Sequence, residues 1–261
     1  MVCLALALCV GCRHAVNYAE ALGPRYAGGH GRTDPAPHQL KVVSFNVKFA
    51  RRVDLAIDLL ERNDALRGAD ILLLQEMDAR GVEAVADSLG MSYVYYPATI
   101  EPATGRDFGN AILSRLPMSD DRKVILPHLA RMEGTERAAV GATILVGTRR
   151  VRVYSVHLAT MVDNGPSDRR DQLRVLLADA DSLSPVIIGG DFNSETVPEL
   201  AGARGYLWPT RRLPRTNAFW TFDHFLLKGV VLAGPASVGV VKDNHGASDH
   251  RPVWAIVTLA G

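Results

Sequence analysis

An uninterrupted apolar run between polar residues most constrains what this 261-residue chain can fold into. Residues 69–75 read Ala-Asp-Ile-Leu-Leu-Leu-Gln, and a strand that is apolar on both faces must be covered on both faces. Residues 51–67 carry Val53, Ile57 and Leu60 at helical spacing, and 81–89 also favours a helix. These features predict a layered α/β domain in which helices cover a sheet.

Runs of β-branched and apolar residues predict strands along most of the remaining chain. The predicted strands are 41–49, 69–75, 92–96, 110–114, 138–146, 150–157, 186–190, 221–227, 230–240 and 252–259. Ser167 is predicted to cap a third helix, whose apolar stripe includes Leu173 and Leu176. Because no repeat or linker-like break interrupts 41–261, this range is predicted to be one domain.

The N-terminal 12 residues form an apolar segment that is too short to span a bilayer, which needs ~20 residues. Val10-Gly11-Cys12 resembles the end of a bacterial lipoprotein signal with Cys12 as the lipidated residue, so 1–12 is predicted to be a signal segment. A buried N-terminal strand or helix is the alternative. Residues 13–40 are rich in Gly and Pro and predict a tether. We therefore expect a monomer in the cell envelope, either secreted or held at the membrane by an N-terminal lipid anchor.

Composition excludes several classes of function for the 41–261 body. All three cysteines, Cys3, Cys9 and Cys12, lie upstream of it, which excludes a disulfide framework, a cysteine metal cluster and a cysteine nucleophile. Lys and Arg number 29 against 28 Asp and Glu, so the net charge of +1 supplies no general field for nucleic acid. The charge balance disfavours a protein that coats DNA, but it is compatible with an enzyme that binds one phosphate group.

Polar side chains recur where the predicted strands end. The segments are Ser44-Phe45-Asn46, Gln75-Glu76, Ser155-Val156-His157, Gly189-Gly190-Asp191-Phe192-Asn193, Thr221-Phe222-Asp223-His224 and Ser248-Asp249-His250-Arg251-Pro252. Carboxylates, amides and imidazoles gathered at strand ends predict a polar crevice, where α/β sheets bind ligands. Taken alone, each has an ordinary structural explanation: His157 as a hydrogen-bonded core histidine, for example, or Asp191 as a turn residue.

Together and in this order, the motifs resemble those of the endonuclease/exonuclease/phosphatase (deoxyribonuclease I-like) family. The resemblance covers about 40–259 and depends most on Gly-Gly-Asp191-Phe-Asn193 and Ser248-Asp249-His250. It implies a four-layer sandwich, in which two central, mostly antiparallel β-sheets are flanked by helices. It also implies a metal-dependent hydrolase of phosphate esters, of the phosphodiesterase or nuclease type, whose substrate is nucleic acid or a phospholipid headgroup.

The resemblance implies a metal site of hard oxygen ligands. Asn46, Glu76 and Asp249 match the positions of the family's metal ligands, with Glu76 as the main one. Mg²⁺ suits carboxylate and amide oxygens and keeps several waters, so it is the expected ion, with Mn²⁺ or Ca²⁺ as alternatives. Such an ion neutralises charge on the phosphoryl oxygens.

The resemblance also implies a water-activating group at the Ser-Asp-His motif. His250, oriented by Asp249 or a neighbour, resembles the base that takes a proton from the attacking water, and Asp191 competes for that role. Asp191 and Asn193 would hold the water and the pentacovalent phosphate.

The resemblance also bears on four further residues. His157 would donate a hydrogen bond to a phosphate oxygen or protonate the leaving group, with Asp223 as its carboxylate partner. Lys48 stands where family members that act on abasic DNA often have Asp, which weakens a DNA-repair function. Arg137 is interpreted as a surface arginine rather than a phosphate contact.

The substrate stays open at this stage. The stretch 206–220 is rich in aromatic residues and arginine, and it is interpreted as a solvated loop with core aromatics, although it could also stack bases or touch lipid headgroups. A phospholipid or sphingomyelin headgroup phosphodiesterase is therefore one alternative function. A catalytically silent binding lipoprotein on the same fold is another, and it is disfavoured because Glu76, His157, Asp191 and His250 are all present.

Overall fold

The computed structural model describes residues 15–29 and 37–259, and its strands form two sheets. The first sheet contains β1 (Val16–Asn17), β2 (Tyr26–Gly28), β3 (Leu40–Asn46), β4 (Ile71–Met77), β5 (Ser92–Ile100), β6 (Asp107–Ser114), β12 (Val230–Leu232), β13 (Val238–Val240) and β14 (Val253–Leu259). The second contains β7 (Met118–Leu126), β8 (Arg137–Val146), β9 (Arg149–His157), β10 (Val186–Asp191) and β11 (Asp223–Lys228). Among the described strands only β3–β4 and β9–β10 pair in parallel.

Helices cover the outer faces of both sheets. They are α1 (Val53–Arg62), α2 (Ala79–Leu89) and α3 (Pro166–Asp179), together with a 3₁₀ segment, Val197–Arg204. In β4, Ile71 and Leu73 pack against the second sheet, whereas Leu72 and Leu74 pack in the cluster that includes α1 and α2. The predicted burial of this strand on both faces is therefore confirmed, and so is the four-layer, mostly antiparallel sandwich.

The helix ends follow local chemistry. The Asp78 side chain accepts a hydrogen bond from the Gly81 amide (2.7 Å) at the start of α2, and Gly90 ends that helix in the left-handed conformation. The third helix begins at Pro166 with Gly165 as its N-cap, so the predicted cap at Ser167 is wrong by two positions. Proline is favoured at the first helical position because the backbone N–H that it lacks would have no partner within the helix there.

Part of the predicted tether is wrong. Residues 16–17 and 26–28 pair with β5 at one edge of the first sheet, and the Lys123 ammonium donates to the Tyr18 carbonyl oxygen (2.6 Å). Strands of two and three residues are too short to show an apolar period, so this docking could not be predicted from the sequence pattern. The predicted signal segment with Cys12 lies outside the described residues, and the lipid anchor stays a prediction.

No helix in the described part of the chain is both long enough and apolar enough to cross a bilayer.

Strand direction gathers the polar segments at one end of the sandwich. In the second sheet Asp191 lies opposite both His157 of β9 and Asp223 of β11. In the first sheet Asn46 lies opposite Gln75, one residue before Glu76. A hydrogen bond from Gln75 Nε2 to Ser155 Oγ (3.0 Å) joins the two sheets directly beneath this end.

We expect Gly190→Ala to destabilise the protein by more than about 3 kcal/mol. Gly190 has φ +156°, and a Cβ there would lie 1.9 Å from the Val156 carbonyl oxygen of the neighbouring strand. Gly202→Ala is the matched control, since a Cβ there meets no atom within 4 Å. Thermal unfolding of both variants tests this, and equal melting temperatures would contradict it.

Candidate active site

Three residues of the second sheet share one row of the strand ladder. His157, Asp191 and Asp223 are register neighbours, and side chains in one row point to the same face of the sheet. All three are at least 98% buried. His157 Nε2 lies 3.6 Å from Asp191 Oδ2. The predicted clustering of these side chains is therefore observed.

Glu76 reaches the same point from the first sheet through an irregularity in its strand. The pairing of β4 with β6 shifts between Leu74 and Met77, and Glu76 between them has φ +58°, in the left-handed region that is unusual for this residue type. Its Oε2 accepts a hydrogen bond from the Phe49 amide (3.1 Å). Backbone strain of this kind clusters at functional sites.

Asn46 connects the two sheets across the site. Its Nδ2 donates to Glu76 Oε1 (3.0 Å) and to Asp191 Oδ2 (3.1 Å), while its Oδ1 accepts from the Lys48 amide (3.0 Å). The amide nitrogen, not the oxygen, therefore faces the two carboxylates. In this arrangement Asn46 holds Glu76 and Asp191 in place and is not itself directed as a metal ligand.

The partner assigned to Asp223 from the sequence is wrong. Asp223 Oδ2 accepts from His250 Nδ1 at 2.9 Å and so orients His250, not His157. Asp249 does not orient His250 either, because it is half-exposed and pairs with Lys48 Nζ at 2.7 Å. The carboxylate that positions His250 lies 27 residues upstream of it.

The charges around His250 make it a cation. Burial acts to lower its pKa, but the negative charges of Asp223 and Asp191 outweigh burial and raise the pKa to about 10. Its Nε2 lies 3.6 Å from Asp191 Oδ2. At neutral pH both nitrogens carry protons, so His250 is a hydrogen-bond donor rather than a base.

Arg137 is buried beside His157, and its interpretation as a surface residue is wrong. Arg137 is 7% exposed, and its Nη1 lies 3.3 Å from His157 Nδ1. Since arginine can only donate, Nδ1 accepts, and the proton of neutral His157 resides on Nε2, which faces Asp191. Burial and the positive charge of Arg137 lower the pKa of His157 well below its usual range. His157 is thus a neutral donor.

Asp191 is the most strongly perturbed carboxylate of the group. Burial raises its pKa to about 7; the positive charge of His250 opposes the rise, and the negative charges of Asp223 and Glu76 add to it. Its Oδ1 accepts from the Asn193 amide (2.8 Å), and the Asn193 side chain donates to the Leu158 carbonyl oxygen (3.0 Å). Asn193, with φ +47°, therefore fixes the turn that presents Asp191.

The donor set fits a divalent cation that prefers oxygen ligands. Glu76 and Asp191 are held by one amide, and the negative charge that these two carboxylates bring to one point is what such an ion neutralises. Asp191, Asp223 and His250 also bring ligand atoms within 4.8 Å of one another. A protonated His250 has no lone pair to offer a metal, so Glu76, with Asp191 beside it, is the better candidate ligand.

The fold and site together define a two-sheet α/β sandwich with a carboxylate and histidine site at the strand ends. The model of the endonuclease/exonuclease/phosphatase family matches residues 43–250, and the chain belongs to this family of phosphate-ester hydrolases. No significant match is found among curated protein sequences.

Solved structures of the same fold are similar over most of the chain. An endonuclease/exonuclease/phosphatase from Beutenbergia cavernae is 19% identical with a TM-score of 0.66, covering 86% of this chain and 72% of that one. D. rerio TDP2, solved with a single-strand DNA product, is 18% identical with a TM-score of 0.66, over 85% and 100%. The human Nocturnin catalytic domain with bound sulfate is 17% identical with a TM-score of 0.62, over 90% and 98%. At these identities the likeness supports the fold alone.

Proposed function

We propose that this protein is a metal-dependent phosphodiesterase. The observation that supports this most is the meeting of Glu76, His157, Asp191 and the Asp223–His250 pair at one point, with Nδ1 of each histidine held by a charged neighbour. Glu76 would hold the metal, Mg²⁺ being the proposed ion, which leaves the Asp191 carboxylate free to accept a proton. When bound, the ion would neutralise charge on the phosphoryl oxygens.

The side chains of this site have complementary tasks in the proposed reaction. Asp191 is suited to accept the proton of the attacking water, because burial has raised its pKa to about 7. Cationic His250 and neutral His157 each donate a hydrogen bond, which suits them to negative charge on the phosphoryl group. In this proposal His250 is not the base that the sequence motif implied. Asp191, the other candidate from the sequence, takes that role.

Activity measured with an isosteric variant tests this function. In excess Mg²⁺ the wild-type protein should hydrolyse a chromogenic phosphodiester, and Asp191→Asn should lose ~10²–10⁴-fold in rate, the usual cost of a positioned base. Plasmid DNA, RNA and sphingomyelin assayed in parallel would identify the preferred ester. Equal rates for wild type and Asp191→Asn on every substrate would overturn the proposal.

A further inference from the structure

Three loops leave the second sheet at the end where the proposed active site lies. Because Leu126 pairs with Arg137 and Asp191 pairs with both His157 and Asp223, the connections 127–136, 158–165 and 192–222 all emerge there. The last of these touches the site directly, since the Thr216 carbonyl oxygen accepts from the Arg251 amide (2.6 Å), next to His250.

These loops carry large apolar side chains that face solvent, and we call this set the apolar rim. Its members are Leu129, Met132, Met161, Val162, Phe219 and Trp220. Met132 is 75% exposed, Val162 82% and Phe219 69%, so packing among the residues that the structure describes does not account for them. The interpretation of the aromatics in 206–220 as core residues is therefore wrong for Phe219 and Trp220.

Ring contacts support the exposed aromatic side chains of the apolar rim. The Trp220 ring stacks on Phe222 with centroids 5.3 Å apart and an interplanar angle of 10°, and Phe219 packs against Trp220 at 5.4 Å. Phe222 is buried and directly precedes Asp223. The stack therefore links the exposed rings to the strand that supports His250.

The charge of the loop 192–222 indicates which class of partner the apolar rim would contact. Within this loop, residues 205–222 contain Arg211, Arg212 and Arg215 and no acidic residue, while Glu195 and Glu199 lie earlier in the loop and Glu199 pairs with Arg211 at 2.6 Å. Arg212 and Arg215 are exposed, and Arg215 lies next to Arg251, whose Nη1 donates to its carbonyl oxygen (3.0 Å). A basic loop with exposed aromatic rings suits the headgroup layer of an anionic membrane.

The aliphatic members of the rim separate a lipid surface from a nucleic acid. Exposed rings could stack bases, but Leu129, Met132 and Val162 offer nothing to a stacked base and would bury readily among acyl chains. We propose that the apolar rim docks on an anionic phospholipid surface and presents lipid phosphoesters to the active site. This inference rests on the proposed phosphodiesterase function and names the class of substrate for that function.

Co-sedimentation of the full chain with vesicles tests the docking surface without catalysis. The probe is phosphatidylcholine vesicles with and without phosphatidylglycerol, and the variant is the double change Val162→Ser with Phe219→Ser. The matched control is Leu145→Ser with Val231→Ser, because both are exposed apolar residues and Leu145 lies near the hairpin turn at the opposite end of the sheet. All proteins share the same N-terminus, so a difference between them comes from the substituted residues.

Wild type and control should bind the anionic vesicles equally, and the rim variant should bind at least about tenfold more weakly, as expected from two apolar side chains. Its rate on a soluble chromogenic phosphodiester should match that of wild type, while its rate on vesicle phospholipid falls. Equal vesicle binding by all three proteins would overturn the proposal, and so would a rim variant that loses cleavage of single-stranded DNA instead. Vesicle binding is measured separately from turnover. This test therefore still decides the docking proposal if the protein proves not to be a phosphodiesterase.

Discussion

Asp223→Asn should lower the rate of phosphodiester hydrolysis by ~10²–10⁴-fold, the range for loss of a positioned acid or base. Asp223 Oδ2 accepts the Nδ1 proton of His250 at 2.9 Å, and its charge is the main force that raises the pKa of His250 to about 10 against burial. An amide keeps the shape of the side chain but removes the charge. His250 in the variant is then less often the cation that the proposed reaction needs.

The pH profile separates this role from a structural one. If His250 must be protonated, wild-type activity falls as pH rises through about 10. Removing the Asp223 charge lowers the pKa of His250, so in Asp223→Asn the fall comes at a lower pH. If Asp191 must be ionised, wild-type activity also falls as pH drops through about 7. An unchanged alkaline limb in Asp223→Asn would contradict the assignment.

Asp249→Asn is the matched control for Asp223→Asn. Asp249 is adjacent to His250 in sequence, but its side chain is 53% exposed and pairs with Lys48. Exposed ion pairs contribute only ~0–1 kcal/mol, so we expect nearly wild-type rates. If Asp249→Asn is instead as inactive as Asp223→Asn, the sequence-based role of Asp249 would be correct and the structural one wrong.

Glu76→Gln should lower the metal-dependent rate of hydrolysis by a factor on the order of 10³. The ion is expected to contribute several kcal/mol of charge stabilisation, and each ~1.4 kcal/mol is a factor of ten. Glutamine keeps one acceptor oxygen for the Phe49 amide or Asn46 Nδ2, so the fold should persist. Steady-state rates and the dissociation constant for Mn²⁺, measured on the same preparation, test both parts.

Glu83→Gln, on the exposed face of α2, is the control for Glu76→Gln. It removes a negative charge from the same sheet-and-helix unit without touching the site, and its rate and Mn²⁺ affinity should equal those of wild type. A Glu76→Gln protein that binds Mn²⁺ as tightly as this control would exclude Glu76 as a ligand.

Most of the strands and helices could be predicted, because buried elements have periodic patterns of apolar residues in the sequence. The run at 69–75 predicted a doubly covered strand, and β4 is that strand. The strand β7 was missed because Ser119–Arg122 is polar and mostly exposed, so it has no apolar pattern. The predicted strand 230–240 is two short strands, β12 and β13, on either side of a Gly-Pro turn.

The membership of the site was predictable, but its pairings were not. Which carboxylate meets which histidine depends on contacts between distant segments, and for this reason Asp223 was assigned to His157 instead of His250. The contact between Arg137 and His157 could not be read from strand pairing either. The hairpin pairs Ala139 with Val156, and continuing that register places Ala138, not Arg137, opposite His157.

The central claim is that this site hydrolyses phosphodiesters with a divalent cation, and a metal add-back titration tests it most directly. The protein is stripped with chelator, dialysed and titrated with Mg²⁺ while hydrolysis of a soluble chromogenic phosphodiester is followed. We predict no hydrolysis above background without the ion, and a rate that rises with Mg²⁺ and saturates. Full activity in excess chelator would contradict the claim, as would an inactive protein at saturating Mg²⁺, Mn²⁺ and Ca²⁺.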